Sequence, residues 1–362
     1  MLRIFSCRIA VLLLLLSELT CRCFAVNISA QSAVMIEQRS GRVLYEQNAD
    51  EERLIASITK IMTAVVAIQH GDLAAMYTVT AEDMAEGSSM YLRVGETLTL
   101  EELLYGLMLA SGNDAALAIA HCVSGDPENF VALMNRTAAE LGMDHSSFAN
   151  PNGLDADGHY SSARDMAHLA AYAMENETFR RIVSTVSITI GDRYLQNHNK
   201  LLRACEGCVG VKTGFTKAAG RTLVSATQRD GMTLICVTLK DGDDWNDHET
   251  LFDYGFQTYR METPVKTGQK LACTVVCDGT QRSVMIVAGS DLSYPVAEGE
   301  KLSLRVVAPV SVSAPVEAGQ VLGTVYLSLD GVEVASADLL AMETVAQAKT
   351  ERTDGLFHRL FH

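Results

Sequence analysis

The sequence predicts an α+β fold, an antiparallel sheet packed with helices, followed by a small all-β domain. Three observations carry that expectation. Two alternating apolar stretches come first, around a Ser40-Gly41 turn in SAVMIEQRSGRVLYEQN. Amphipathic helical segments follow from Ser57 to the 170s. Beyond residue 184 the stretches STVSITI, VGVKTGF, TLVSATQ and MTLICVTL are rich in β-branched residues. Strands, then many helices, then strands favour an antiparallel sheet over alternating βαβ units.

The chain has 362 residues, of which 48% are hydrophobic and 20% charged. That is globular, and long enough for two domains of about 150 residues. The net charge of −15, from 44 acidic and 29 basic residues, argues against a nucleic-acid binder, which clusters Lys and Arg to neutralise phosphates. Residues 1–25 stand apart. Arg3 and Arg8 precede the apolar IAVLLLLL, and CRCFA ends in a small residue. This is the pattern of a secretory signal peptide cut after Ala25, with an apolar core too short to span a bilayer. An exported protein is expected.

Element by element, SITKIMTAVVAIQHG reads as a helix with Ser57 at its start and Gly71 past its end. Residues 73 to 100 are irregular. TLEELLYGLMLA opens with Thr99 and Glu102, a capping box. SGND then leads into AALAIAHCV. PENFVALMNRTAAELGM and SSARDMAHLAAYAMEN are further helices, the second opened by Ser161 or Ser162. Arg229-Asp230-Gly231 is a hairpin turn between two late strands. DWNDHETLFDYGFQTY closes the first domain, expected over 26–260. Short alternating strands with Gly punctuation form the all-β domain, expected over 261–342. The tail, 343–362, carries Leu356, Phe357, Leu360 and Phe361 on one helical face. It is either a frayed end or a weak amphipathic anchor making peripheral membrane contact.

Of nine cysteines, six follow the leader: Cys122, Cys205, Cys208, Cys236, Cys273 and Cys277. Their pairing cannot be read from spacing. Cys205-Glu-Gly-Cys208 suits a zinc half-site, a redox pair or a local disulfide, but a structural zinc site needs four ligands. No metal is expected.

Three motifs carry chemistry. In Ser57-Ile58-Thr59-Lys60, helical spacing puts lysine and serine on one face. Serine is a weak nucleophile until a base takes its proton. Lysine is such a base only when neutral, and its ordinary pKa is about 10.4. Burial among Ile58, Ile61 and Met62 disfavours the ammonium and supplies what that role needs. Ser111-Gly112-Asn113 lies between two apolar helices, where either polar residue alone would be an ordinary cap. Lys212-Thr213-Gly214 lies on a β-rich stretch, its glycine admitting a close neighbour. Lys266-Thr267-Gly268 repeats the tripeptide after Pro264, in the setting of a surface turn.

Ser-x-x-Lys, Ser-x-Asn and Lys-Thr-Gly in this order form the signature of penicillin-recognising serine enzymes. The chain resembles the D-alanyl-D-alanine carboxypeptidases of peptidase family S11, the low-molecular-mass penicillin-binding proteins. The stretches GSSMYLRVGETLTLEELLYGLMLASGNDAA, NPNGLDADGHYSSARDMA, NHNKLL and GVKTGFTKAAGRTLVSA carry the likeness further. The resemblance implies a β-lactamase/transpeptidase-like catalytic domain that needs no cofactor. It implies peptidoglycan stem peptides ending in D-Ala-D-Ala as substrates and β-lactams as inhibitors. By motif, Ser57 is the expected nucleophile, Lys60 its base and Ser111 a proton shuttle. Asn113 is expected to hold the substrate backbone, Lys212 to supply positive charge and Thr213 to bind the terminal carboxylate. The N–H groups of Ser57 and Phe215 are the expected oxyanion hole. No arginine lies between Met232 and Tyr259, where some members place one, which leaves the carboxylate to Thr213 and Lys212.

Two rivals remain from the sequence. A serine β-lactamase shares the motif order, with Glu175 as the candidate activator of water. A non-catalytic wall-binding protein would keep the fold but not all three motifs intact. A Ser-His-Asp hydrolase has no Gly-x-Ser-x-Gly elbow here, and neither His198 nor His248 has a triad setting.

Overall fold

The computed structural model describes residues 26–349. The expected signal peptide and the expected apolar face of the tail lie outside the described residues.

The chain opens with a hairpin of β1 (Ser32–Glu37) and β2 (Val43–Gln47). A 3₁₀ turn, Ala56–Thr59, feeds directly into α1 (Lys60–His70). Two short strands, β3 (Met76–Thr78) and β4 (Thr97–Thr99), pair with each other. Next comes α2 (Leu100–Leu109), opened by the Thr99/Glu102 capping box. It is followed by α3 (Asn113–Ser124) and by α4 (Pro127–Glu140), which Asp126 caps. Ser162 caps α5 (Ala163–Ala173).

The sequence reading ends this helix at Asn176 and starts the strands near residue 184, whereas the structure places another helix, α6 (Glu177–Ser184), between them. Asn176 explains the break, because its side chain accepts the Phe179 N–H at 3.0 Å and restarts the helix. The hairpin β5 (Ser187–Ile190) and β6 (Arg193–Gln196) and the single turn α7 (Leu201–Ala204) lead to β7 (Cys208–Thr216). Then come β8 (Gly220–Arg229), β9 (Met232–Asp241) and α8 (Asp244–Thr258).

The central sheet has the order β2-β1-β9-β8-β7, and every pairing is antiparallel. Its two faces follow strand alternation. Val34, Ile36, Val224 and Val237 face the core shared with α1 to α6, whereas Met35, Leu234 and Cys236 face Leu251 and Phe252 of α8. The sheet is therefore covered on both sides, and β7 is left as an edge strand beside the start of α1.

After α8 the strands β10 (Tyr259–Val265), β11 (Lys270–Cys277), β12 (Ser283–Ala288), β13 (Leu292–Ala297), β14 (Leu302–Val307), β15 (Ser311–Ser313), β16 (Val321–Leu329) and β17 (Val332–Ala341) follow. Six of them form one sheet, β14-β16-β17-β12-β11-β15, while β10 pairs with β13. Val265, Ile286, Val325, Leu327 and Leu339 build a separate core. The second Lys-Thr-Gly lies in a turn here, with Thr267 tied to Asp291. Arg42 joins the two cores. Its guanidinium contacts both Glu300 oxygens and the Pro295 carbonyl, and it sits 5.1 Å from the Tyr259 ring centre and 5.4 Å from that of Tyr294.

Candidate active site

Ser57 sits in the 3₁₀ turn and Lys60 is the first residue of α1. The turn is held from three sides. Ala56 has a positive φ of 50°. Thr222 of β8 donates its hydroxyl to the Ile55 carbonyl at 2.9 Å. Thr59 Oγ1 donates to the Ala56 carbonyl at 2.8 Å and contacts His159 Nε2 at 2.8 Å. His159 Nδ1 accepts the Ala149 N–H, so its Nε2 carries the proton that Thr59 receives. Burial pushes the His159 imidazole down to about 4, which keeps this tautomer neutral.

Two glycines let the chain close on the turn. A Cβ on Gly214 would lie 2.4 Å from Thr222 Oγ1 and 3.0 Å from the Ser57 nitrogen. A Cβ on Gly153, where φ is +84°, would lie 2.1 Å from the Ala56 carbonyl oxygen. β7 and the 150–153 loop thus press against the turn from two directions because neither carries a side chain at the contact.

Lys60 is fully buried. Its Nζ lies 2.9 Å from Ser57 Oγ, 2.7 Å from Asn113 Oδ1 and 2.5 Å from the Asn152 carbonyl oxygen. The Asn113 amide orientation is fixed by its other end, since Nδ2 donates to the Glu86 carbonyl at 2.7 Å. Burial lowers the Lys60 pKa well below its ordinary value, the nearby Lys212 charge lowers it further, and Asp114 opposes both.

Ser111 and Asn113 do not cap α3. Gly112 occupies the cap position without a side-chain bond, and Ser111 takes a positive φ of 58°. That conformation leaves Ser111 Oγ accepting from Lys212 Nζ at 3.0 Å. Lys212 also donates to the Thr213 carbonyl at 2.8 Å, and burial brings its pKa down to about 7. Asp114 holds the loop above the site, accepting the Met90 and Leu92 N–H groups at 3.0 Å each.

These groups border a cleft of about 1060 Å³ lined by Ser57, Ser111, Thr213, Gly214 and Phe215. The eight residues singled out by motif therefore lie around one cleft, with Lys60, Asn113 and Lys212 buried beneath it. His198 also borders the cleft, whereas Glu175 is exposed and is not among its lining residues. His248 is buried elsewhere, between Ser225 and Thr238. Among the described residues no group of His, Cys, Asp and Glu could hold a metal, and all six described cysteines are free thiols.

The sequence reading missed two contributors. The Asn152 carbonyl bonds Lys60, but a backbone oxygen has no side-chain signature. Arg221 borders the cleft from β8, not from the region after Met232 where an arginine was sought. No local signal marked it, because Arg221 reaches the cleft through its cross-strand pairing with Phe215.

Residues 20–243 match the family model described as D-alanyl-D-alanine carboxypeptidase, Peptidase S11, and residues 259–347 match the penicillin-binding protein 5 C-terminal domain. The chain belongs to the D-alanyl-D-alanine carboxypeptidase family. It is 34% identical over 336 residues to D-alanyl-D-alanine carboxypeptidase DacF of Bacillus subtilis, spanning 88% of this chain and 86% of that protein. It superposes on penicillin-binding protein 5 of Haemophilus influenzae with a TM-score of 0.75 and 30% identity, over 89% of this chain and 98% of that one. A peptidoglycan synthesis regulatory factor (PBP3) of Streptococcus pneumoniae gives a TM-score of 0.78 at 25% identity, over 88% and 100% of the two chains. The α+β fold with an appended β domain is that of these structures.

Proposed function

We propose that the protein is an exported serine-type D-Ala-D-Ala carboxypeptidase that removes the terminal D-alanine from peptidoglycan stem pentapeptides. Family membership supports the reaction class. The observation that carries the mechanism is the Lys60 amine. A neutral amine has two N–H bonds and one lone pair. The carbonyl oxygens of Asn113 and Asn152 take the two N–H bonds. The lone pair is then left for the Ser57 hydroxyl, 2.9 Å away.

Ser57 gives its proton to Lys60 as Oγ attacks the carbonyl of the penultimate D-alanine. The oxyanion is received by the N–H groups of Ser57 and Phe215, where losing one donor costs about 3 kcal/mol of transition-state stabilisation. The exposed edge of β7 offers a strand for the substrate backbone to pair with. Lys212 supplies positive charge, and Thr213 with Arg221 receives the terminal carboxylate. The proton returns through Lys60 and Ser111 to the leaving amine, and water then hydrolyses the ester. Asn113, with both amide ends engaged by the protein, acts first on Lys60, and it meets substrate only if the Glu86 contact opens. A β-lactam acylates the same oxygen.

Mass spectrometry of the intact protein after penicillin treatment tests this reading. One adduct is expected, on the peptide containing Ser57, persisting for hours and absent in Ser57→Ala, which also releases no D-alanine. An adduct elsewhere overturns the nucleophile assignment, and turnover of the adduct within milliseconds favours a β-lactamase.

A further inference from the structure

The stretch Cys205-Glu206-Gly207-Cys208 has no part in the Ser57 chemistry, yet it leads straight into the strand that carries Lys212, Thr213 and Gly214. Cys205 follows α7, and Cys208 is the first residue of β7. The Cys208 N–H donates to the Cys205 carbonyl at 3.2 Å, and Gly207 takes a φ of +76°. That is a type II β-turn with a cysteine at each end. Such a turn holds its first and fourth Cα atoms within about 7 Å, and a disulfide spans Cα separations of about 4.4–6.8 Å. The turn is also fixed from outside. The Gln228 N–H donates to the Gly207 carbonyl at 2.9 Å, and a Cβ on Gly207 would lie 2.4 Å from the Gln228 carbonyl oxygen.

The two sulfurs meet at one side chain. Cys205 Sγ is 3.9 Å from Thr227 Oγ1, and Cys208, which pairs with Thr227 in the β7–β8 ladder, borders the same hydroxyl. The two thiols are not equivalent. Arg229 places Nη2 3.6 Å from Cys205 Sγ, and its Nε donates to the Glu206 carbonyl at 3.0 Å. A cation thus stands beside the Cys205 sulfur, with Asp253 3.7 Å from the far Nη1 of the same guanidinium. Cys208 Sγ faces the Gly210 carbonyl at 3.4 Å instead, and burial pushes its thiol up to about 11. Cys273 and Cys277 provide a contrast. Both are exposed on β11, but four residues of strand separate them by about 13 Å, too far for a bond between them.

We infer that Cys205 and Cys208 form a dithiol site that exchanges with low-molecular-mass disulfides and closes to an internal disulfide at the entry to β7. Cys205 attacks, because it has the guanidinium beside it, and Cys208 resolves. The Cys205 thiolate attacks one sulfur of the incoming disulfide, whose S–S bond breaks and releases one thiol. The Cys208 thiolate then attacks the Cys205 sulfur of the mixed disulfide and releases the second thiol. Two electrons pass from the cysteine pair to the incoming disulfide, and the two cysteine protons end on the released thiols. Because the turn is already formed, the new bond restrains the start of β7 without displacing it.

The test exposes the purified, reduced protein to excess oxidised glutathione, quenches with acid, alkylates the remaining thiols and reads tryptic peptides by mass spectrometry. Cleavage after Arg203 and Lys212 isolates residues 204–212, with these two cysteines alone, and cleavage after Lys270 and Arg282 isolates Cys273 and Cys277. In the wild type the first peptide is expected two hydrogens lighter, with neither glutathione nor alkyl group, while the second carries glutathione. In Cys208→Ser, glutathione stays on Cys205. In Cys205→Ser, glutathione reaches Cys208 about tenfold more slowly. Closure raises the melting temperature by roughly 2–5 °C, reversed by dithiothreitol and absent in Cys208→Ser. Glutathione or alkyl groups retained on both sulfurs of the wild type, while Cys273 and Cys277 react, overturn the inference. Equal reaction rates in the two single variants overturn the division of roles, and a melting temperature that falls on closure overturns the preformed turn. None of these readouts involves Ser57.

Discussion

At the scale of single residues the site is a contest over one proton. Lys60 ordinarily holds its proton to about pH 10.4. Full burial removes the water that would stabilise the ammonium, and Lys212 adds a like charge nearby. Both act in the same direction, against the opposing Asp114 charge, and drive the Lys60 amine towards its neutral form. Replacing Lys212 by Gln removes the repulsion and raises the Lys60 pKa. The acid limb of acylation, where Lys60 must be neutral, therefore moves to higher pH, whatever happens to the maximal rate. Ser57, Lys60, Ser111 and Lys212 were legible in the sequence because each contributes a side chain within a short motif. The Asn152 carbonyl was not, because any residue type supplies one. Arg221 was hidden for another reason. It reaches the cleft by pairing opposite Phe215, and a register between strands is not written in local spacing.

At the scale of elements the site depends on two surfaces meeting without a side chain between them. β7 lies against the 3₁₀ turn because residue 214 is glycine. In Gly214→Ala the new methyl would meet Thr222 Oγ1 at 2.4 Å and the backbone nitrogens of Ser57 and Ile58 at 3.0 and 3.1 Å. The backbone contacts cannot rotate away, so β7 or the turn must shift. A displacement near 1 Å can cost about a hundredfold in rate, while overpacking of this kind costs about 1–3 kcal/mol in stability. Acylation kinetics and a thermal melt on one preparation measure both, and an unchanged acylation rate would contradict the close contact. The helices were legible where their caps are local, at Thr99 with Glu102 and at Ser162. The start of α6 was not, because Asn176 reads as the last residue of the preceding amphipathic helix and not as the cap of a new one. Its role follows from the bond to Phe179 rather than from any change in apolar period.

At the scale of the whole molecule, two cores are joined by a junction that Arg42 fills. Its bonds to Glu300 and Pro295 and its place between Tyr259 and Tyr294 link the hairpin of the first core to the β10–β13 pair of the second. Charge-assisted bonds are worth about 1.5–3 kcal/mol when shielded, and this pair is partly open to solvent, so the lower end applies. Arg42→Ala is expected to lose about 1–2 kcal/mol and to split a single calorimetric transition into two, one per core. One unshifted transition would show that the junction is held by other contacts. The α+β class and the β-rich end were legible from the change of texture along the chain. The junction was not, because Arg42 and Glu300 lie far apart in sequence and neither belongs to a pattern.

The account turns on Lys60 being an unprotonated base beside Ser57. The most direct measurement is the stopped-flow rate of Ser57 acylation by a β-lactam as a function of pH, in the wild type and in Lys212→Gln. The account predicts a wild-type midpoint well below the ordinary lysine value of about 10.4, displaced upward in the variant. A rate that rises only with a midpoint near that ordinary value, and that the variant leaves unmoved, would contradict it.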